Sequence, residues 1–298
     1  MNSPLPTRRH FLAVAAGSLA AVSVAPRLLA AGAETKPWTI GCLNRPWVKW
    51  SLTEMLDGVK SAGYRTLGLQ TPTAADPFVG KEASAAYLAD LKAKIAARGL
   101  HATLGRVRVQ ETQPYAEATA EIRTQLDNAK TLGLTSVINT GTGKPEHYEA
   151  WYRAMAFACA YAADRGIQVV IKPHGGVTAA AADLLVCLEK IKHPNLRLWY
   201  DAGNIIFYTG KDSLAELEPI VSHVTAFTAK DCAEKNAEVM VQFGTGKVDF
   251  AGILRRLKKT GFNGPIMVES CKVGATAAET TANARANREF LERALAAV

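Results

Sequence analysis

The chain is short of the features that would assign it quickly. Its 298 residues hold five cysteines, none of them in C-x-x-C spacing, so neither a disulfide framework nor a zinc knuckle is indicated. No strand candidate runs into a G-x-G-x-x-G turn opening a helix, which removes the dinucleotide-binding fingerprint and with it any expectation of a nucleotide cofactor. The apolar run from Phe11 to Ala25 is interrupted by Gly17, Ser18 and Ser23 and stopped by Pro26, short of the roughly 20 residues that a membrane span needs. The formal charge is +8, yet the lysines and arginines are scattered and do not form a stripe interleaved with aromatics, so nucleic acid is not an expected partner.

The first 33 residues have the three parts of an export signal: paired Arg8 and Arg9, a small-residue apolar stretch, and a small-x-small site at Ala31, Gly32 and Ala33. The "RRHFLA" start resembles the twin-arginine type of bacterial signal, so a periplasmic or otherwise exported location is expected. Cleavage after Ala33 would leave 265 residues, 34–298, as one domain, and would lower the charge to +5 because three arginines and no acidic residue are removed. Cys159 and Cys187 fall on helical patterns and read as core residues, whereas Cys232 and Cys271 are the candidate pair for an oxidising compartment.

What is present is alternation. Short apolar runs at 38–43, 66–70, 102–107, 136–140, 169–173, 197–201, 224–229 and 265–269 are separated by amphipathic stretches such as "AAYLADLKAKIAARG" and "FAGILRRLKKTG". Five of the helical stretches end in Gly63, Gly99, Gly133, Gly166 and Gly261, where a left-handed residue terminates a helix at least cost. Strand–helix alternation implies parallel strands joined by right-handed crossovers. Eight such units in about 265 residues predict an α/β protein of the (β/α)8 TIM-barrel type.

In such a barrel the strand carboxyl ends converge on one site. There the sequence offers Lys172 and His174 after the fifth strand, Asp201 and Asn204 after the sixth, Thr228, Lys230 and Asp231 after the seventh, and Glu269 after the eighth. Residues two apart on a strand share a face, so Lys172 with His174, and Thr228 with Lys230, are expected to point the same way. The first four strands end less richly, with Asn44, Arg45, Gln70, Arg106, Arg108 and Asn139.

The motifs "IKPHGG", "YDAGN", "TAKD", "GTGKVDF" and "MVES" resemble, in the same order, those of the sugar isomerases and epimerases among the xylose isomerase-like TIM barrels. That resemblance implies a divalent metal (Mn, Mg, Zn or Co) held by a strand-five glutamate, a strand-six aspartate, a strand-seven histidine and a strand-eight glutamate, with the two glutamates moving the substrate proton. Here the aspartate is Asp201 and the second glutamate is Glu269, but Lys172 and Thr228 stand at the other two positions. A lysine ammonium competes with a divalent cation for the same carboxylates, so His174, Asp201 and Glu269 are the only candidate ligands left.

The resemblance implies a sugar isomerase or epimerase that abstracts a proton beside a sugar carbonyl, and the signal at residues 1–33 implies that it is exported. Glu269 is the expected base, Lys172 or His174 the group that steadies the oxyanion and returns the proton, and Asn204, Lys230, Asp231 and Thr228 the substrate contacts. Two alternatives stay open: a lyase or hydrolase of 3-keto-glycosides on the same barrel, and a carbohydrate-binding barrel without catalysis, for which Trp47, Trp50, Trp199 and Tyr200 are candidate stacking surfaces. The expected partner is a small carbohydrate. The helix predicted from about 277 to 297 is expected either to cover the barrel floor or to mediate an oligomer.

Overall fold

The structure, a computed structural model, describes Met1 and residues 38–298. The expected export signal lies outside the described residues except for Met1. From residue 40 the chain forms β1 (Ile40–Leu43), α1 (Leu52–Ser61), β2 (Thr66–Leu69), α2 (Ala85–Ala96), β3 (His101–Arg106), α3 (Tyr115–Leu132), β4 (Ser136–Asn139) and α4 (Tyr148–Ala163). It continues with β5 (Gln168–Ile171), α5 (Ala181–Ile191), β6 (Leu196–Asp201), α6 (Ala202–Thr209), α7 (Ser213–Leu217), β7 (Val224–Ala229), α8 (Phe250–Lys259), β8 (Ile266–Val268) and α9 (Ala277–Ala296).

The eight strands are all parallel and close on themselves in chain order, β8 pairing with β1 through Ile40 opposite Ile266 and Cys42 opposite Val268. All five glycines expected to end helices have positive φ, from +66° at Gly99 to +91° at Gly63. They release the chain from each helix into the next strand. At the other helix ends, side chains satisfy the free amides: Ser51 and Glu54 form a reciprocal capping box on α1, and Asp212 accepts from the Leu214 and Ala215 amides on α7.

Alternation along each strand divides the apolar residues into two cores. Leu43, Leu104, Ile138, Val170, Trp199, Ala226 and Met267 pack together as a separate cluster inside the barrel. On β2 the corresponding position is Gly68, where a Cβ would collide with the Leu43 side chain. Residues of the opposite parity, such as Cys42, Leu67, Val137, Val169 and Phe227, join the larger core between strands and helices. Burial of this kind contributes about 1.5–3 kcal/mol per large apolar side chain.

The last helix, α9, lies in the outer ring against α1 and α8. Tyr64 donates its hydroxyl hydrogen to the Ala284 carbonyl (2.8 Å), and Trp47 Nε1 donates to Thr281 Oγ1 (3.3 Å). Of the four aromatics considered as sugar-stacking surfaces, Trp47, Trp199 and Tyr200 are buried in the cores, so they are packing residues. The five cysteines are unpaired and buried, including Cys232 and Cys271, whose thiols reach the Glu234 and Thr280 carbonyls instead of each other. Among the described residues no helix is long and apolar enough to cross a membrane.

Candidate active site

The interior plug sets what lies above it. Two residues beyond Val170, Trp199, Ala226 and Met267 stand Lys172, Asp201, Thr228 and Glu269, which therefore face inward above the apolar layer at the carboxyl end of the barrel. The same step from Gly68, Leu104 and Ile138 gives Gln70, Arg106 and Thr140 on the opposite wall, all lining one cavity of about 220 Å³. Arg45, Thr71, His174, Asn204, Tyr208, Lys230 and Glu269 line it too.

An interlocked ion network forms one side of this cavity. Lys172 Nζ donates to Asp201 Oδ2 at 2.6 Å and to Glu269 Oε2. Lys230 Nζ donates to Glu269 Oε1 at 2.6 Å and to Asn204 Oδ1 at 2.9 Å, and stands 3.5 Å from Asp201 Oδ2. Arg45 reaches in from the rim, its Nη1 3.0 Å from Glu269 Oε1. Lys172 and Asp201 are 0% exposed, Lys230 1% and Glu269 2%. Charges so buried are stable only when paired and hydrogen-bonded, as these are.

Backbone geometry holds the network in register. Asp201 uses its second oxygen, Oδ1, to accept from the Asn204 amide at 2.9 Å and so caps α6. Asn204 donates its Nδ2 to the Pro173 carbonyl at 2.7 Å, tying α6 to the segment after β5. His174 is set in that segment by its amide bond to the Thr178 carbonyl, 3.1 Å, and its ring faces Tyr208 with the hydroxyl 3.4 Å away.

Burial and neighbouring charge split the ionisation of these groups. Burial alone would push the Glu269 carboxyl up, but Lys172, Lys230 and Arg45 reverse this and hold it well below its ordinary value. Lys172 loses to burial and regains more from Asp201 and Glu269, so it stays a firm cation above its ordinary value. Lys230 is lowered: burial outweighs Asp201 and Glu269, and the nearby Lys172 and Arg45 add to the fall. Burial first and Lys172 second bring His174 down to about 3, which makes it a neutral imidazole.

The expected site residues therefore separate into three groups. Glu269, His174, Asn204 and Lys230 reach the cavity. Lys172, Asp201 and Thr228 are fully buried and do not line it; Lys172 and Asp201 lie in the network beneath, and Thr228 Oγ1 has no hydrogen-bond partner. Asp231, expected at the substrate, turns away from the cavity. Its carboxylate accepts from the backbone amides of Cys232, Gly244, Gly246 and Val248 at 2.8 to 3.2 Å, pinning the loop after β7.

The structure adds Thr71, Thr140, Phe207 and Tyr208 to the cavity and gives Arg45, Gln70 and Arg106 a direct place in it. For Gln70 and Arg106 the signal was in the sequence, two residues past inward Gly68 and Leu104. Tyr208 had no such signal, because α6 was not among the helical patterns. Asn44 and Asn139 serve the backbone: Asn44 clips the Gln70 and Thr71 amides, and Asn139 joins Val107, Gly141 and Trp151.

Several solved structures share this barrel. A D-psicose 3-epimerase from Clostridium cellulolyticum H10, solved with D-tagatose, superposes with a TM-score of 0.70 at 14% identity, covering 86% of this chain and 99% of its own. A xylose isomerase domain protein from Alicyclobacillus acidocaldarius gives 0.67 at 21%, covering 87% and 99%. A probable 3-DHS dehydratase from Bacillus anthracis gives 0.65 at 12%, covering 85% and 98%. At these identities the likeness is one of fold. No curated protein matches by sequence. The family profile described as xylose isomerase-like TIM barrel matches residues 56–294.

The chain belongs to the xylose isomerase-like TIM barrel family.

In this xylose isomerase-like barrel the two carboxylates at the strand ends are bridged by ammonium groups. Among the described residues no three His, Cys, Asp or Glu side chains converge as a metal-ligand set, so His174, Asp201 and Glu269 do not come together as one. A divalent cation at Asp201 and Glu269 would have to displace Lys172 Nζ from hydrogen bonds to both and stand beside Lys230 as well. The donor set present does not fit the metal that the family resemblance implies.

Proposed function

We propose that the protein is a sugar isomerase or epimerase that transfers a proton beside the substrate carbonyl, with Glu269 and Lys230 as the acid–base pair and without a metal step. The observation behind this reading is the Lys230–Glu269 contact of 2.6 Å at the cavity wall, flanked by Asn204 and a neutral His174. A carboxylate, an ammonium and a neutral hydrogen-bonding ring within one small cavity are what enolisation requires: an acceptor for the carbon-bound proton, a cation for the developing oxyanion, and a donor to return the proton.

In the resting site Glu269 is a weak base because three cations face it. A bound sugar carbonyl and its adjacent hydroxyl would take hydrogen bonds from Lys230 and Arg45, and the carboxylate would regain basicity as those donors turn to the substrate. Lys230, already lowered below an ordinary lysine, then protonates the enediolate oxygen readily. Lys172 never touches the substrate; it holds Asp201 and Glu269 apart at fixed positions and supplies the permanent positive charge beneath them. Elimination from the same enediolate, the lyase reading, needs only that Lys230 deliver its proton to a leaving group one carbon further on.

The D-psicose 3-epimerase and the other 3-epimerases among the solved neighbours support the sugar class. The export signal expected at residues 1–33 goes with a periplasmic substrate. Solvent-deuterium exchange into a panel of ketoses and 3-ketosugars tests the reading: label should enter at the carbon beside the carbonyl, and Glu269→Gln should slow it about 10²- to 10⁴-fold. A barrel that only binds carbohydrate would exchange nothing.

A further inference from the structure

The cavity has two unlike walls, and only one is accounted for by proton transfer. The wall from β5 to β8 carries the ion network. The wall from β1 to β4 carries Arg45, Gln70, Arg106 and Thr140, and there the hydrogen bonding is incomplete.

Arg106 is half-buried at the end of β3. Among the described residues its one hydrogen bond is from Nη2 to Thr140 Oγ1 at 3.2 Å, and it has no carboxylate partner. A guanidinium has five N–H donors in a planar fork suited to a carboxylate or phosphate. Burial, and then Arg108 beside it, make its charge harder to hold, while Glu269 is the one acid that assists. Next to it Gln70, 7% exposed, has a side-chain oxygen Oε1 with no hydrogen-bond partner. A buried amide oxygen left unpaired is destabilising, and this one belongs to a residue lining the same cavity.

The charge balance points the same way. Lys172, Lys230, Arg45 and Arg106 bring four positive charges to the site, and Asp201 and Glu269 bring two negative ones. His174 is neutral and compensates nothing. The shortfall lies on the Arg106 side, since both carboxylates are already shared among the other three cations. The cavity, about 220 Å³, is below the ~300–1,000 Å³ of drug-sized sites, which limits the ligand to a single small sugar.

We propose that the substrate is a monosaccharide bearing an anionic group, a carboxylate or a phosphate, which Arg106 binds through its free donors while the Gln70 amide turns to offer Oε1 to a neighbouring sugar hydroxyl. This rests on the proton-transfer reading for the orientation of the sugar: the anionic end lies against β2 and β3, and the carbonyl end against Lys230 and Glu269. Specificity then comes from a charge that a neutral ketose cannot match, because a sugar hydroxyl serves Gln70 in either kind of substrate whereas only an anion pairs with the Arg106 guanidinium.

Calorimetric titration of the protein with D-glucuronate, D-fructose 6-phosphate and neutral D-fructose tests this directly. One anionic sugar should bind about 10- to 100-fold more tightly than D-fructose, the range for a charge-assisted pair, and whichever of the two wins identifies carboxylate or phosphate. The preference should shrink as salt is raised. Arg106→Gln should abolish it, Arg106→Lys should restore part of it, and Arg108→Gln, at an exposed neighbour outside the cavity, should leave it intact. Equal affinity for D-fructose, no binding by either anion, or an undiminished preference in Arg106→Gln would overturn the proposal, and the wild-type salt series decides the matter if the Arg106 variants do not fold. Deuterium exchange separates the two readings: exchange into neutral ketoses alone removes the anionic substrate and leaves proton transfer standing. An anion preference without exchange does the reverse.

Discussion

Lys172 shows how much depends on one side chain here. It is wholly enclosed and touches two carboxylates that would otherwise face each other. Replacing it with methionine keeps most of the volume and leaves Asp201 without its short ion pair, so unfolding free energy should fall by about 3–5 kcal/mol in urea titrations. An unchanged midpoint would mean that the pair is dispensable. The pH dependence follows from the directions of shift. Lys172 is raised in the folded state, so its contribution is complete below about pH 10.4 and is lost as pH climbs through the higher folded value. Glu269 is lowered, so its contribution is complete above about pH 4.3 and is lost as pH falls through the depressed folded value.

His174 makes a sharper residue-scale prediction, because its folded value is about 3. Between that and the unfolded value near ~6.5 the unfolded chain takes up a proton that the folded one refuses. Stability should therefore decline as pH drops through this window, and His174→Asn should flatten that part of the curve. In nuclear magnetic resonance titrations the His174 ring should show no midpoint between about pH 5 and 8. A midpoint near the ordinary value would mean that the ring is solvated and free of Lys172.

At the scale of elements, the loop after β7 depends on Asp231. Four backbone amides across residues 232–248 converge on its carboxylate, a use of charge that positions chain and leaves none for a ligand. Asp231→Ala should leave those donors unpaired at a cost of about 1–3 kcal/mol, and hydrogen exchange should show the Gly244, Gly246 and Val248 amides losing protection together. Retained protection would assign the loop's order to other contacts. The neighbouring lysine, one position earlier, goes the opposite way, into Glu269 and Asn204. The two residues directly follow β7 and carry on its alternation of faces, and that parity separates a cavity-lining group from a structural anchor.

At the scale of the whole molecule, the barrel brings a cation to the place where its relatives' pattern implies a metal. Elemental analysis of the purified protein should find no stoichiometric Mn, Mg, Zn or Co, and chelator should change neither its thermal midpoint nor its deuterium-exchange rate. One equivalent of bound metal would mean that Lys172 is displaced or neutral, and the network would have to be redrawn. The eight strands, the helices ending at Gly63, Gly99, Gly133, Gly166 and Gly261, and the strand ends bearing Lys172, Asp201 and Glu269 were all legible in the chain. Periodicity, glycine caps and parity are local rules, and nearby residues are enough to apply them.

What the chain alone determined was the barrel and the charged side chains at the ends of its strands, because each strand carries its own two-residue alternation and each helix its own ending. The tertiary structure decided which charge answers which. Lys172 meets Asp201 across 29 positions and Glu269 across 97, and Arg45 meets Glu269 across 224. Pairings at such separations follow from strand order and closure, and the sequence pattern is the same whether Lys172 lies under the cavity or in it. Closure buried Lys172 and brought Lys230 to the wall, because a buried charge settles where the barrel supplies an opposite one within hydrogen-bond reach; it also turned Asp231 to the amides of its loop and left Arg106 with donors to spare.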